Sequence, residues 1–103
     1  MSNERYLSPQ VQRVLTTIEL MAGHEVEGVE PKQLAAELNT SAADVTRILA
    51  NLAEAGWAER LPSNDKRWRL HKKPVQLSNT VDHNMKTVLR NLQLESNNYS
   101  ILR

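Results

Sequence analysis

The sequence predicts a mainly α fold with one small β-hairpin and a further helix toward the C-terminus. Three observations carry this. Apolar residues recur at three- and four-residue spacing as far as Gly56, the period then changes to two on either side of Pro62-Ser63-Asn64-Asp65, and helical spacing returns after Pro74. Composition sets the limits. The chain has 103 residues, 40% of them hydrophobic and 24% charged, which fits one small globular domain, and it has no cysteine for a disulfide, a thiolate metal site or a thiol nucleophile. The longest apolar runs, such as Leu20-Met21-Ala22, fall far short of the roughly 20 residues of a membrane span. Met1-Ser2-Asn3-Glu4-Arg5 lacks the basic-then-apolar order of a secretory signal, so a cytoplasmic protein is expected.

Ser8-Pro9 starts the first helix: Ser caps free amides, and Pro fits the first helical position, where its missing N–H costs nothing. Val11, Val14, Leu15, Ile18 and Met21 form its expected buried side, and Gly23 stops it after about residue 22. His24 to Glu30 is too short and too acidic for a helix and reads as a loop, with one short strand around Val29. Pro31 starts a second helix that buries Leu34, Ala35 and Leu38 and ends at Asn39-Thr40 after about two turns. The third begins with a capping pattern, Ser41-x-x-Asp44, in which the carboxylate is expected to reach back to a backbone amide, and runs from Ala42 to about Ala55. Val45, Ile48, Leu49 and Leu52 make its core stripe, and Gly56 suits the left-handed residue that follows.

In the hairpin, Trp57, Glu59 and Leu61 fall on one side of the first strand and Ala58 and Arg60 on the other; the second strand puts Trp68 and Leu70 opposite Arg67, Arg69 and His71. Both tryptophans are expected in the core. A last helix is predicted from about Asn79 to Glu95, with Val81, Met85, Val88 and Leu92 spaced four, three and four, a narrow seam suited to helix pairing and a candidate homodimer interface. The polar tail from Ser96 to Arg103 is expected to fray, with Tyr99, Ile101 and Leu102 able to dock on a partner. The domain division is thus 1–75 and 76–103.

The net charge of +1 hides an asymmetry: residues 1–56 hold four basic against eight acidic side chains, and 57–103 hold nine against four. Between Arg60 and Lys73, six cations (Arg60, Lys66, Arg67, Arg69, Lys72 and Lys73) face only Asp65. Such a cluster is either a solvated hairpin or a phosphate-binding surface, since polyanion affinity scales with the phosphates neutralised.

Three short helices, the second and third joined by a tight turn and followed by a hairpin, are the order of a winged helix-turn-helix. Leu34-Ala35-Ala36-Glu37-Leu38, Val45-Thr46-Arg47-Ile48-Leu49 and Leu52-Ala53-Glu54-Ala55-Gly56-Trp57-Ala58-Glu59-Arg60 together resemble the DNA-binding domain of IclR-type bacterial transcription regulators, over about residues 8–75. Arg67-Trp68-Arg69-Leu70 resembles that family's second wing strand, whose aromatic and Leu point inward. Asn39 and Thr40 depart from the family's Gly and apolar residue, and Ala42-Ala43-Asp44 from its basic residue and hydroxyls. The resemblance implies a regulator whose partner is double-stranded DNA. Members of that family carry an effector domain after a linker helix, and this chain ends about where that linker does, so no small-molecule effector is expected.

Periodicity puts Ala43, Arg47, Ala50 and Glu54 opposite the core stripe of the third helix, flanked by Asp44, Thr46 and Asn51. The alanines allow close approach to base edges, Arg47 could bond guanine bidentately, and Asn51 could pair with adenine. With Ser41 at the start of the helix, Ser41, Ala43, Thr46, Arg47 and Asn51 are the candidate reading residues; Lys66, Arg67, Arg69, Lys72 and Lys73 are candidates for phosphate contact, which positions and does not specify. Two alternatives stand beside this: a protein-contact module, favoured by Asp44 and Glu54, and nucleic-acid binding without sequence preference. His24, His71 and His83 show no metal-ligand spacing and there is no Gly-rich phosphate loop, so no enzyme, metal or cofactor is predicted.

Overall fold

The computed structural model describes residues 4–101; Met1, Ser2, Asn3 and the tail residues Leu102 and Arg103 lie outside the described residues. After a single 3-10 turn at Glu4–Tyr6 come α1 (Pro9–Met21), α2 (Pro31–Leu38), α3 (Ala42–Glu54), β1 (Ala58–Leu61), β2 (Asn64–Leu70) and α4 (Lys72–Ile101). Two units result, one through Lys72 and one from Lys73. Among the described residues no helix is long and apolar enough to cross a membrane.

Local chemistry sets the first three helices. The Ser8 hydroxyl accepts from the Val11 amide at 3.2 Å, with Pro9 at the first helical position. The Gln33 side chain accepts from the Glu30 amide at 2.8 Å at the start of α2. Asn39 closes α2 at φ 54°, ψ 51°, a left-handed conformation that Asn tolerates and that accounts for the glycine of the resembled family there. Ser41 caps α3 by accepting from Asp44 N–H at 3.0 Å, and Gly56 ends the segment at φ 84°. The Asp44 carboxylate does not reach back to a backbone amide; it accepts from the Thr40 hydroxyl at 2.9 Å.

The core of the first unit gathers Met21, Val29, Leu34, Ala35, Val45, Ile48, Leu49, Leu52, Ala58 and Trp68. The stripe expected on α3 is buried throughout, but the buried side of α1 differs from expectation. Val11 and Leu15 are about half exposed, whereas Thr17 is fully buried beside Met21. Thr17 sits there without penalty because its hydroxyl donates to the Arg13 carbonyl of its own helix at 2.6 Å. A polar residue satisfied by its own backbone therefore occupies a place that hydropathy assigns to its apolar neighbours.

The wing pairs Ala58 with Leu70, Glu59 with Arg69 and Arg60 with Trp68, then shifts so that Leu61 faces Asn64. The shift re-aims Leu61 inward, so Ala58 and Leu61 are both buried although a regular strand would set them on opposite faces. Trp68 is core, as expected; Trp57 is half-buried and packs against it. The strand near Val29 is one bridge, in which Val29 and Trp68 exchange two 2.8 Å backbone hydrogen bonds.

The last helix runs from Lys72, well before Asn79, and continues to Ile101 instead of fraying from Ser96. Pro74 does not delay it, because the amides of a helix's first turn have no intrahelical acceptor to lose. At 30 residues α4 is about 45 Å long, with none of its described residues buried.

Candidate nucleic-acid interface

The buried stripe of α3 leaves Ala43, Thr46, Arg47, Ala50, Asn51 and Glu54 on one exposed face. The helix therefore brings together the reading residues expected from periodicity, with Ser41 engaged as the cap at its start. Thr46 donates its hydroxyl proton to the Ala42 carbonyl at 2.9 Å, keeping its oxygen free to accept. Asn51 donates from Nδ2 to the Arg47 carbonyl at 2.8 Å, leaving Oδ1 and the second amide hydrogen for a ligand. The Arg47 guanidinium has no hydrogen-bond or ion-pair partner among the described residues.

Asp44 is less exposed than the rest. Its two oxygens accept from Gln10 Nε2 and Thr40 Oγ1, each at 2.9 Å, so this carboxylate is already engaged within the domain.

The wing cations divide into two groups. Arg67 and Arg69, expected on phosphate, turn their guanidiniums to the protein. Arg67 donates to the carbonyls of Glu27 at 2.6 Å and Gly28 at 3.0 Å and lies 3.4 Å from Glu30 Oε1, fastening β2 to the loop before α2. Arg69 donates to its cross-strand partner Glu59 at 2.8 Å, and the other Glu59 oxygen lies 3.1 Å from His71 Nδ1. The reason is local: each arginine lies within reach of acceptors that sequence distance conceals, 40 residues away for Glu27. Arg60 likewise stacks 4.5 Å over the Trp68 ring and donates to the Asp65 carbonyl at 2.6 Å.

Lys66, Lys72 and Lys73 keep exposed ammonium groups without partners among the described residues. Lys72 and Lys73 stand in the first turn of α4, which holds no acidic residue. Cations there oppose the helix dipole at about 0.3–1 kcal/mol each and raise the local positive potential. Among the described residues no group of three or more His, Asp or Glu could hold a metal ion. Sequence distance hides the Arg67 anchors and the Gln10–Asp44 bond, whose partners lie 34 to 40 residues away, whereas Glu59–Arg69 is a cross-strand pair of the expected hairpin and Thr40–Asp44 a four-residue contact that spacing alone could suggest.

A model of the MarR family matches residues 7–68, from just before α1 to Trp68 of the wing. No curated protein matches the chain. Among solved structures, Staphylococcus aureus CymR is 23% identical with a TM-score of 0.55, over 62% of this chain and 53% of its own. The transcriptional regulator PA4135 is 23% identical with a TM-score of 0.47, over 88% of this chain and 66% of its own, and Lactococcus lactis ZitR is 22% identical with a TM-score of 0.45, over 91% and 63%. The chain thus spans about half the length of CymR, whose likeness shows the fold.

The match is to MarR and not to the IclR-type regulators that the motifs resemble. The fold accounts for the discrepancy. In the run from Leu49 through Leu52 to Gly56-Trp57, both leucines are buried, Gly56 needs its left-handed φ of 84° and Trp57 packs on the core, so the run reports the passage from α3 to wing in any winged helix. With a family model covering more than half of its length, the chain belongs to the MarR family of winged-helix DNA-binding transcription regulators.

Proposed function

We propose that this protein regulates transcription in the cytoplasm by occupying an operator as a dimer, with α3 in the major groove and lysines on the phosphate backbone. One observation carries the reading: α3 presents an exposed face of small residues around an unpartnered Arg47. Arg47 reads a base, Thr46 and Asn51 use their free acceptor and donor positions beside it, and Ala43 and Ala50 permit close approach. Lys66, Lys72 and Lys73 neutralise phosphates, and Arg67 and Arg69 hold the wing that carries Lys66.

The seam of Val81, Met85, Val88 and Leu92 is the proposed contact between two copies. Each of these side chains is more than half exposed, and a solitary helix without buried residues draws little stability from propensity alone. Two half-sites would double both the phosphates bound and the bases read. The reading invokes no small-molecule effector, metal or catalytic step. A basic protein partner for α3 is less well supported, because Asp44, one of the two acidic residues that would recruit it, is already bonded to Gln10 and Thr40.

The test is fluorescence anisotropy against random duplex DNA at two salt concentrations, followed by selection of bound sequences. Salt-sensitive binding that enriches a palindromic motif is the expected result. Arg47→Ala should lower discrimination at one position by about 1–3 kcal/mol, whereas equal loss on every sequence would remove its reading role.

A further inference from the structure

We infer that Asp44, held between Gln10 of α1 and Thr40 of the helix-turn-helix turn, is a positioning residue for DNA reading: the clasp sets the angle at which α3 presents Arg47. The inference rests on the DNA-reading role proposed for α3. It explains why a carboxylate stands at the start of a helix meant to meet phosphates.

The clasp is continuous. Arg13 Nη1 donates to Gln10 Oε1 at 3.0 Å, Gln10 Nε2 donates to Asp44 Oδ1 at 2.9 Å, and Thr40 Oγ1 donates to Asp44 Oδ2 at 2.9 Å. It joins α1, the turn and α3 across 34 residues of sequence. Asp44 is not needed as a cap, since the Ser41 hydroxyl already accepts the Asp44 amide at 3.0 Å. Its charge disfavours the phosphate backbone and is not removed by the neutral donors Gln10 and Thr40; what the bonds do is hold the carboxylate within the protein, with the Arg13 guanidinium behind Gln10.

Geometry gives the clasp leverage. Arg47 lies three residues beyond Asp44, on the same side of α3 and less than one turn away. Val45, Ile48, Leu49 and Leu52 bury the opposite side, but apolar packing is non-directional. Directional bonds to two separate segments at the N-terminal end supply the missing constraint. A bidentate contact to a base tolerates errors of only about 0.5 Å and 10–20°, so a small tilt reduces discrimination before it affects backbone binding.

The experiment compares wild type with Gln10→Ala, Thr40→Val and Thr40→Ser, all of which leave the net charge unchanged. For each, affinity for the selected sequence and for random duplex is measured across a salt series, and circular dichroism checks folding. Gln10→Ala and Thr40→Val should each lower the specific-to-random affinity ratio by about fivefold or more with an unchanged salt slope, while Thr40→Ser, which keeps the hydroxyl donor, retains the wild-type ratio. The two disruptive substitutions lie on different segments, so misfolding of one leaves the other as the test. Ratios within twofold of wild type in the folded variants, or equal losses on both DNAs, overturn the inference while leaving the DNA-reading role intact. A wild-type protein without sequence preference overturns that role and this inference with it.

Discussion

Replacing Gly28 with Ala tests how the wing is seated on the domain. Gly28 has φ +71°, and an added Cβ would stand 2.9 Å from Leu61 Cδ1, 3.0 Å from the Trp68 carbonyl oxygen and 3.1 Å from Arg67 Cβ. The leucine methyl can move. The carbonyl cannot move without loss, because it accepts the Val29 amide at 2.8 Å in the bridge joining loop to wing. Left-handed backbone costs an alanine about 1–2 kcal/mol, and overpacking at a tight site adds about 1–3 kcal/mol. Reduced freedom of the unfolded chain offsets about 0.4–1 kcal/mol. The net cost is roughly 3 kcal/mol, or a fall in Tm on the order of 10–20 °C for a domain of this size. Urea unfolding followed by tryptophan fluorescence measures it, since Trp57 and Trp68 both lie in the first unit, and the midpoint should fall at unchanged slope. Gly23→Ala is the control: Gly23 has φ +96° but nothing within 4 Å of the added Cβ, so only the backbone cost applies. Equal losses for the two variants would refute the close seating of the wing on this loop.

Leu49→Ala should cost about 2–5 kcal/mol in the same unfolding assay, because Leu49 is fully buried at the centre of the α3 stripe. Arg67→Ala should lower stability by about 1–3 kcal/mol through loss of bonds to two backbone carbonyls while leaving the salt dependence of DNA binding nearly unchanged. Lys66→Ala should do the reverse, changing stability by less than about 0.5 kcal/mol and flattening the salt slope by about one unit. The Glu27 carboxyl lies below its ordinary value of 4.5, chiefly because His24 hydrogen-bonds its charged form at 2.9 Å. A lowered folded value means that its contribution to stability is complete above the ordinary value and is lost as pH falls through the lowered one. An NMR titration should place the Glu27 midpoint below 4.5 and show it rising in His24→Ala; no rise would remove His24 as the cause.

The four helices, the hairpin and the outward face of α3 were legible in sequence because each depends on neighbours within a turn or a strand. Ser8, Pro9, Pro31, Ser41 and Gly56 act on adjacent amides and dihedrals, and the α3 stripe repeats at the period of the helix itself. Two departures from the local pattern came from strand register and packing. The wing's alternation broke where the register shift turned Leu61 inward, and α1 buried Thr17 in place of Leu15 because a hydroxyl bonded to its own helix can pack like an apolar group. Charge counting found the basic cluster but could not separate arginines that brace the wing from lysines that face solvent. The elements, their order and the exposed face of the third helix follow from the residues alone, because short-range hydrogen bonding and periodic hydropathy set them. Which charges remain available to a ligand is settled by folding, because whether Arg67, Arg69 and Asp44 are free depends on the acceptors and donors it brings near them.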